Sequence, residues 1–99
     1  MRLVLRRAAK RDLEEARRWY NDRQPGLGQE FLSSVEAVLA LIREFPLMAP
    51  KVDPWVRRAR TERFPFGIFY TIDGPTIRVL AVLHNARSSI WWKSRLEDR

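Results

Sequence analysis

Cysteine is absent from this 99-residue chain. A disulfide framework, a cysteine-type zinc site and a thiol nucleophile are therefore excluded. Histidine occurs once, at His84, so no histidine pair is available to a metal centre. Lysine is scarce as well: Lys10, Lys51 and Lys93 leave sixteen arginines among the 19 cations. The four glycines form no phosphate-cradling loop. The carboxylates show no pairing that suggests glycosidase or metal chemistry. No apolar run approaches the length of a membrane span, and residues 1–7, MRLVLRR, are too short and too charged for a secretory signal. The expectation is a cytoplasmic protein with no metal, no cofactor and no membrane association.

What is present is a globular composition, 45% hydrophobic, on a chain long enough for one core and little more. Residues 1–99 are expected to form a single domain. The 19 cations face 12 carboxylates, a net charge of +7. Such a surface attracts polyanions, whether nucleic acid or an acidic protein partner. Arginine in place of lysine suits planar, two-pronged recognition of phosphate or carboxylate. An arginine-favouring codon composition accounts equally well for the bias.

Residues 2–6 alternate as a short strand. From Ala8 the period changes, and Leu13, Ala16, Trp19 and Tyr20 recur at helical spacing as an apolar stripe. Asp12, Glu14 and Glu15 precede Arg17 and Arg18, the order that complements a helix dipole. Pro25-Gly26-Leu27-Gly28 reads as a turn, with Pro25 also suited to open the next helix. Phe31, Val35, Val38, Leu39, Ile42 and Phe45 then mark a second amphipathic helix, which Pro46 ends. So short a turn predicts an antiparallel helical hairpin. Residues 46–54, PLMAPKVDP, read as an ordered loop. Three strands are predicted beyond it, over 56–64, 66–73 and 76–85, with Asp73-Gly74 supplying a hairpin turn. The last is apolar on both faces, which suggests a central strand. The expected fold is α+β, β-α-α-β-β-β: an antiparallel meander with an N-terminal strand and the helical hairpin packed on one face.

Candidate chemistry concentrates in residues 57–87. Arg57, Arg58, Arg60 and Arg63 lie in one predicted strand, with Arg58, Arg60 and Glu62 on one face and Arg57, Ala59, Thr61 and Arg63 on the other. Cations on both faces fit a phosphate-binding surface, or an edge strand charged against edge-to-edge pairing. His84 and Arg87 stand at the end of the last strand. An imidazole there is suited to general acid–base work and a guanidinium to charge building on phosphorus. A lone strand-end histidine is more often a hydrogen-bonded structural residue. Trp91 and Trp92, with Arg87, Lys93 and Arg95 nearby, suit base stacking, docking of the tail on the core, or a protein-binding hot spot.

The ordered set Ala9, Asp12, Leu13, Trp19-Tyr20, Phe45-Pro46, Arg58, Phe64-Pro65-Phe66, Phe69-Tyr70, Asp73-Gly74 and Val79-Leu80-Ala81-Val82-Leu83-His84-Asn85-Ala86-Arg87 resembles the RelE/ParE superfamily of bacterial toxins over nearly the whole chain. The resemblance implies the toxin of a type II toxin–antitoxin system, held inactive by a cognate antitoxin with an often acidic segment. It offers two activities. ParE-like members (plasmid stabilisation proteins) poison DNA gyrase; RelE-like members cleave mRNA on the ribosome. A RelE-like reading assigns phosphate contacts to Arg60 and Arg63, proton transfer to His84 and charge stabilisation to Arg87. RelE-like nucleases also resemble one another in a catalytic tyrosine or histidine near the C-terminus. Here no tyrosine follows Tyr70, and Trp91 and Trp92 occupy the tail. The residues thus resemble the ParE side, where binding would fall to Arg57, Arg58, Arg60, Arg63, Arg87, Trp91 and Trp92.

Overall fold

A computed structural model describes residues 1–87 and Arg95. The elements are β1 (Arg2–Leu5), α1 (Arg7–Arg23), α2 (Leu27–Glu44), β2 (Lys51–Asp53), β3 (Val56–Arg60), β4 (Phe66–Asp73) and β5 (Thr76–His84). They build one sheet in the order β1-β5-β4-β3-β2. β1 lies parallel to β5, and the other neighbours are antiparallel. The α+β class and the helical layer are as the sequence indicates. The element order carries one more strand than expected.

Periodicity sets the helices. In α1, Ala9, Leu13, Ala16 and Tyr20 fall on one stripe and pack into the main core. In α2, Phe31, Val35, Val38 and Ile42 do the same and are buried. Burying each larger apolar side chain contributes about 1.5–3 kcal/mol. The stripes cover one sheet face, where Ala59, Phe66, Ile68, Tyr70, Ile77, Val79 and Val82 meet them. Between the helices, the Asn21 Oδ1 accepts the Gly26 N–H at 2.9 Å. Gly26 has φ +90°, a left-handed conformation that glycine adopts without penalty. Helix α2 starts only at Leu27, so Pro25 belongs to the turn and does not open the helix.

Helix α1 begins earlier than the stripe suggested, and its first turn carries no acid. Asp12 therefore lies beyond the reach of the N-terminal dipole. Its carboxylate instead accepts the Val82 N–H at 2.9 Å and both prongs of Arg95, at 2.9 and 3.0 Å. Strand β1 pairs with β5 only as far as Leu5↔Val79. The rest of that edge would leave polar backbone unpaired. Asp12 satisfies the Val82 N–H, and Arg95 donates to the Leu80 carbonyl at 3.1 Å.

Two expectations in the meander need correction. Part of the predicted 46–54 loop is a strand, because Lys51 and Asp53 pair with Arg57 and Val56. Strand β2 consequently covers β3 alongside Val56 and Arg57, the part of β3 it pairs with. Strand β3 also stops at Arg60, four residues short. The Thr61 hydroxyl turns the chain by donating to the Phe64 carbonyl at 2.7 Å, and Arg63 sits at φ +70°. Strands β4 and β5 match the reading closely, and β5 lies inside the sheet.

Candidate functional site

Register decides which predicted residues meet. Directly paired residues share a face, so Arg58↔Phe69↔Ala81 and Arg60↔Gly67↔Leu83 project from the face away from the helices. Arg57↔Tyr70 and Phe66↔His84 project toward the helical side. The arginines of β3 therefore serve two different surfaces.

On the helix-free face, Val56, Phe69, Leu80, Ala81 and Leu83 form a second, smaller buried cluster. The Arg58 side chain passes beside it, with its guanidinium 5.9 Å from the Phe69 ring centre. Its Nη2 donates to the Asn85 Oδ1 at 2.9 Å, tying β3 to the chain just beyond β5. Gly67 makes the crossing possible, since a Cβ there would stand 2.8 Å from the Arg58 Nε. That Nε is buried without a hydrogen-bond acceptor. Burial, and secondarily the charge of Arg60, lowers the Arg58 pKa from its ordinary value. An anion is the group that would relieve both effects. Arg60 is exposed beside it.

Arg57 and Arg63 are engaged elsewhere. The Arg57 Nη1 donates to the carbonyls of Leu47 and Ala49, at 3.2 and 2.7 Å, and so clamps the loop before β2. Tyr70 reinforces that loop by donating to the Pro46 carbonyl at 2.7 Å. Arg63 pairs with Glu30 of α2 at 2.6 Å.

His84 and Arg87 line a groove of about 430 Å³ with Asp12, Trp19, Tyr20 and Phe66. His84 is exposed; its ring lies edge-on to Phe66, with centroids 5.4 Å apart. Its Nδ1 accepts the Ala86 N–H at 3.0 Å. This bond fixes the ring and leaves Nε2 as the nitrogen available for other work. The Arg87 N–H closes the same turn on the His84 carbonyl at 2.9 Å. Trp19, expected in the sheet-covering stripe, is instead half exposed on the groove rim, with the Arg23 guanidinium 3.4 Å from its ring centre. Burial raises the Tyr20 pKa from its ordinary value.

The structure thus brings together Arg58, Arg60 and Asn85 on one side, and His84 with Arg87 on the other. Arg63 is held on α2, apart from both groups. Trp91 and Trp92 lie outside the described residues. Sequence reading missed Asp12, Gly67 and Asn85 as site-building residues. Only the Asp12 position in the motif hinted at its role, because its partners are 70 and 83 residues away. Among the described residues no cluster of candidate ligands could hold a metal ion, and no helix is long and apolar enough to cross a membrane.

Comparison with known proteins adds to this geometry. Residues 3–89 match the family model described as the ParE toxin of the type II toxin–antitoxin system, parDE. A solved structure of the chromosomal ParDE toxin–antitoxin system from P. aeruginosa has the same fold, with a TM-score of 0.65 at 22% identity. That match covers 85% of this chain and 95% of the other. No curated protein matches.

Proposed function

Because the chain belongs to the ParE toxin family of type II toxin–antitoxin systems, we propose that it inhibits growth by binding DNA gyrase. A cognate antitoxin, through an acidic segment suited to the +7 charge, neutralises it. The observation carrying this reading is the dispersal of the residues a nuclease would use. Arg60 projects from the helix-free face, Arg63 is paired with Glu30, and His84 lies with Arg87 on the helical side. General acid–base chemistry on one phosphodiester requires its groups within hydrogen-bond reach of the same atoms. Binding has no such requirement. In this reading Arg58, Arg60 and Arg87 touch the target, Arg57 and Arg63 present the loops they hold, and Trp91 and Trp92 add contact area.

A second reading, a RelE-like ribosome-dependent mRNA endoribonuclease, draws on one observation: His84 is exposed and shares its groove with Arg87. His84→Ala separates the two. A binder keeps its toxicity when the variant folds, as circular dichroism must establish. A nuclease using His84 loses about 100-fold or more of its cleavage rate. Loss of toxicity in a folded variant would reject the gyrase reading.

A further inference from the structure

Eight large hydrophobic side chains stand exposed among the described residues, and six of them, Leu41, Phe45, Leu47, Met48, Val52 and Trp55, fall within residues 41–55. Apolar side chains scattered singly over a surface need no explanation. These six are gathered. They run from the last turn of α2 through the following loop to the edge strand β2 and its turn into β3. Leu41 and Phe45 stand four residues apart, one above the other on the helix. The Met48 N–H then closes a turn on the Phe45 carbonyl at 3.0 Å. The same stretch supplies the core with Ile42, Ala49 and Val56, which are buried.

The exposed surface is held from behind. Arg57 grips the carbonyls of Leu47 and Ala49, and Tyr70 that of Pro46. The Trp55 N–H donates to the Asp53 Oδ1 at 3.2 Å and so fixes the turn between β2 and β3. Apolar side chains on a loop fixed in this way are ordered before a partner arrives, which lowers the cost of binding.

Charge selects the partner. Residues 41–55 carry Arg43 and Lys51 against Glu44 and Asp53, so the stretch is neutral within a chain of net charge +7. An acidic segment gains no net attraction here, and a phosphate backbone meets no excess of cations. A second copy of the chain needs this balance. In a two-fold dimer the same patch meets itself, so a net charge of either sign would be repelled. The area agrees. With Phe45 55%, Leu47 69% and Trp55 70% exposed, the six side chains present on the order of 500 Å² of apolar surface. A standard interface takes about 800 Å² from each partner, about 60% of it apolar.

We propose that residues 41–55 form the interface of a two-fold homodimer, with Phe45, Leu47 and Met48 at its centre and the four charged residues on its rim. The proposal shares with the gyrase reading only the loop that Arg57 holds. Its readout is mass and not toxicity, so the two can fail separately.

The test is sedimentation equilibrium of the purified full chain at concentrations up to about 100 μM. The expected mass is twice the 11.8 kDa of one chain, with dissociation on dilution through the micromolar range. Leu47→Glu and Leu47→Lys each put a charge into the apolar centre and its copy into the facing patch. Both should weaken the dimer at least about 10-fold, and the two signs should act alike. Arg57 holds the carbonyl of residue 47 and not its side chain, so both variants should keep the parent circular dichroism spectrum. Trp19→Glu removes an exposed aromatic far from this stretch in sequence and should leave the dimer intact. Equal weakening by Trp19→Glu would mean unspecific hydrophobic association and would overturn the proposal. A chain still monomeric at about 100 μM would overturn it as well; co-sedimentation of that monomer with phosphatidylglycerol vesicles would assign the patch to a lipid surface.

Discussion

Replacing Asp12 by alanine removes three interactions at once: the acceptor for the Val82 N–H and both bonds from Arg95. The Asp12 and Arg95 side chains are only 9% and 19% exposed. Their pairing therefore lies between a surface ion pair, worth at most about 1 kcal/mol, and a buried one, whose breakage costs about 3–5 kcal/mol. A value near 2 kcal/mol for the pair, with about 1 kcal/mol for the orphaned Val82 N–H, gives a loss of about 3 kcal/mol. For a domain of this size that lowers Tm by about 12–24 °C. Urea unfolding followed by circular dichroism measures it. Arg95→Ala, which spares the Val82 bond, should cost about 2 kcal/mol, and the double variant little more than Asp12→Ala alone. The reasoning fails if Asp12→Ala costs less than about 1 kcal/mol, or if the two losses simply add.

Four further outcomes follow from the packing and titration of the fold. Gly28→Ala places a Cβ 2.5 Å from the Arg17 carbonyl oxygen; backbone cannot yield cheaply, so unfolding should be easier by about 1–3 kcal/mol in the same urea assay. Gly67→Ala pushes on the Arg58 Nε from 2.8 Å and should break the Arg58–Asn85 bond, seen as a changed Asn85 side-chain amide resonance; an unaltered resonance would mean that the arginine crosses without needing the gap. Burial raises the pKa of Tyr70 and Tyr20 above the ordinary 10.0, so their contribution is intact below that pH and is lost as pH climbs through the raised values; Tyr70→Phe should remove part of that alkaline loss while costing about 1 kcal/mol near neutrality for the missing bond to Pro46. Hydrogen bonds from Arg17, then Arg18, hold the Glu14 pKa at about 2 instead of 4.5; its stabilising effect is present above pH 4.5 and disappears as pH falls through about 2, and Glu14→Gln should flatten an acid titration over that interval.

The parts of the fold visible in the sequence were those governed by periodicity. Phe31, Val35, Val38 and Ile42 reveal their helix because one buried face imposes a period. Strands β4 and β5 are revealed by dense β-forming residues around Asp73-Gly74. Strand β2 was hidden because the prolines of PLMAPKVDP mask three residues whose pairing depends on Arg57 and Val56. The early end of β3 depends on a Thr61 hydroxyl bond that no hydrophobic pattern records. The parallel attachment of β1 to β5 spans 74 residues and leaves no local trace.

The candidate site shows the same division. The basic run and His84-Asn85-Ala86-Arg87 were recognisable as residues, but their grouping depended on register. One residue of displacement along β3 separates Arg57, which holds a loop, from Arg58, which faces the other side of the sheet. Trp19 looked like core because it adjoins Tyr20 on the stripe, yet the groove leaves it half exposed. Asp12 carried no visible sign of its target, since Val82 and Arg95 reach it only after the chain has folded.

The central claim, growth inhibition through gyrase and not through mRNA cleavage, is tested most directly by pulse labelling. The chain is induced alone in bacteria, and incorporation into DNA and into protein is followed separately. The account predicts that DNA synthesis falls first while protein synthesis continues. A prior fall in protein synthesis would contradict it and would make His84 and Arg87 the candidate ribonuclease site.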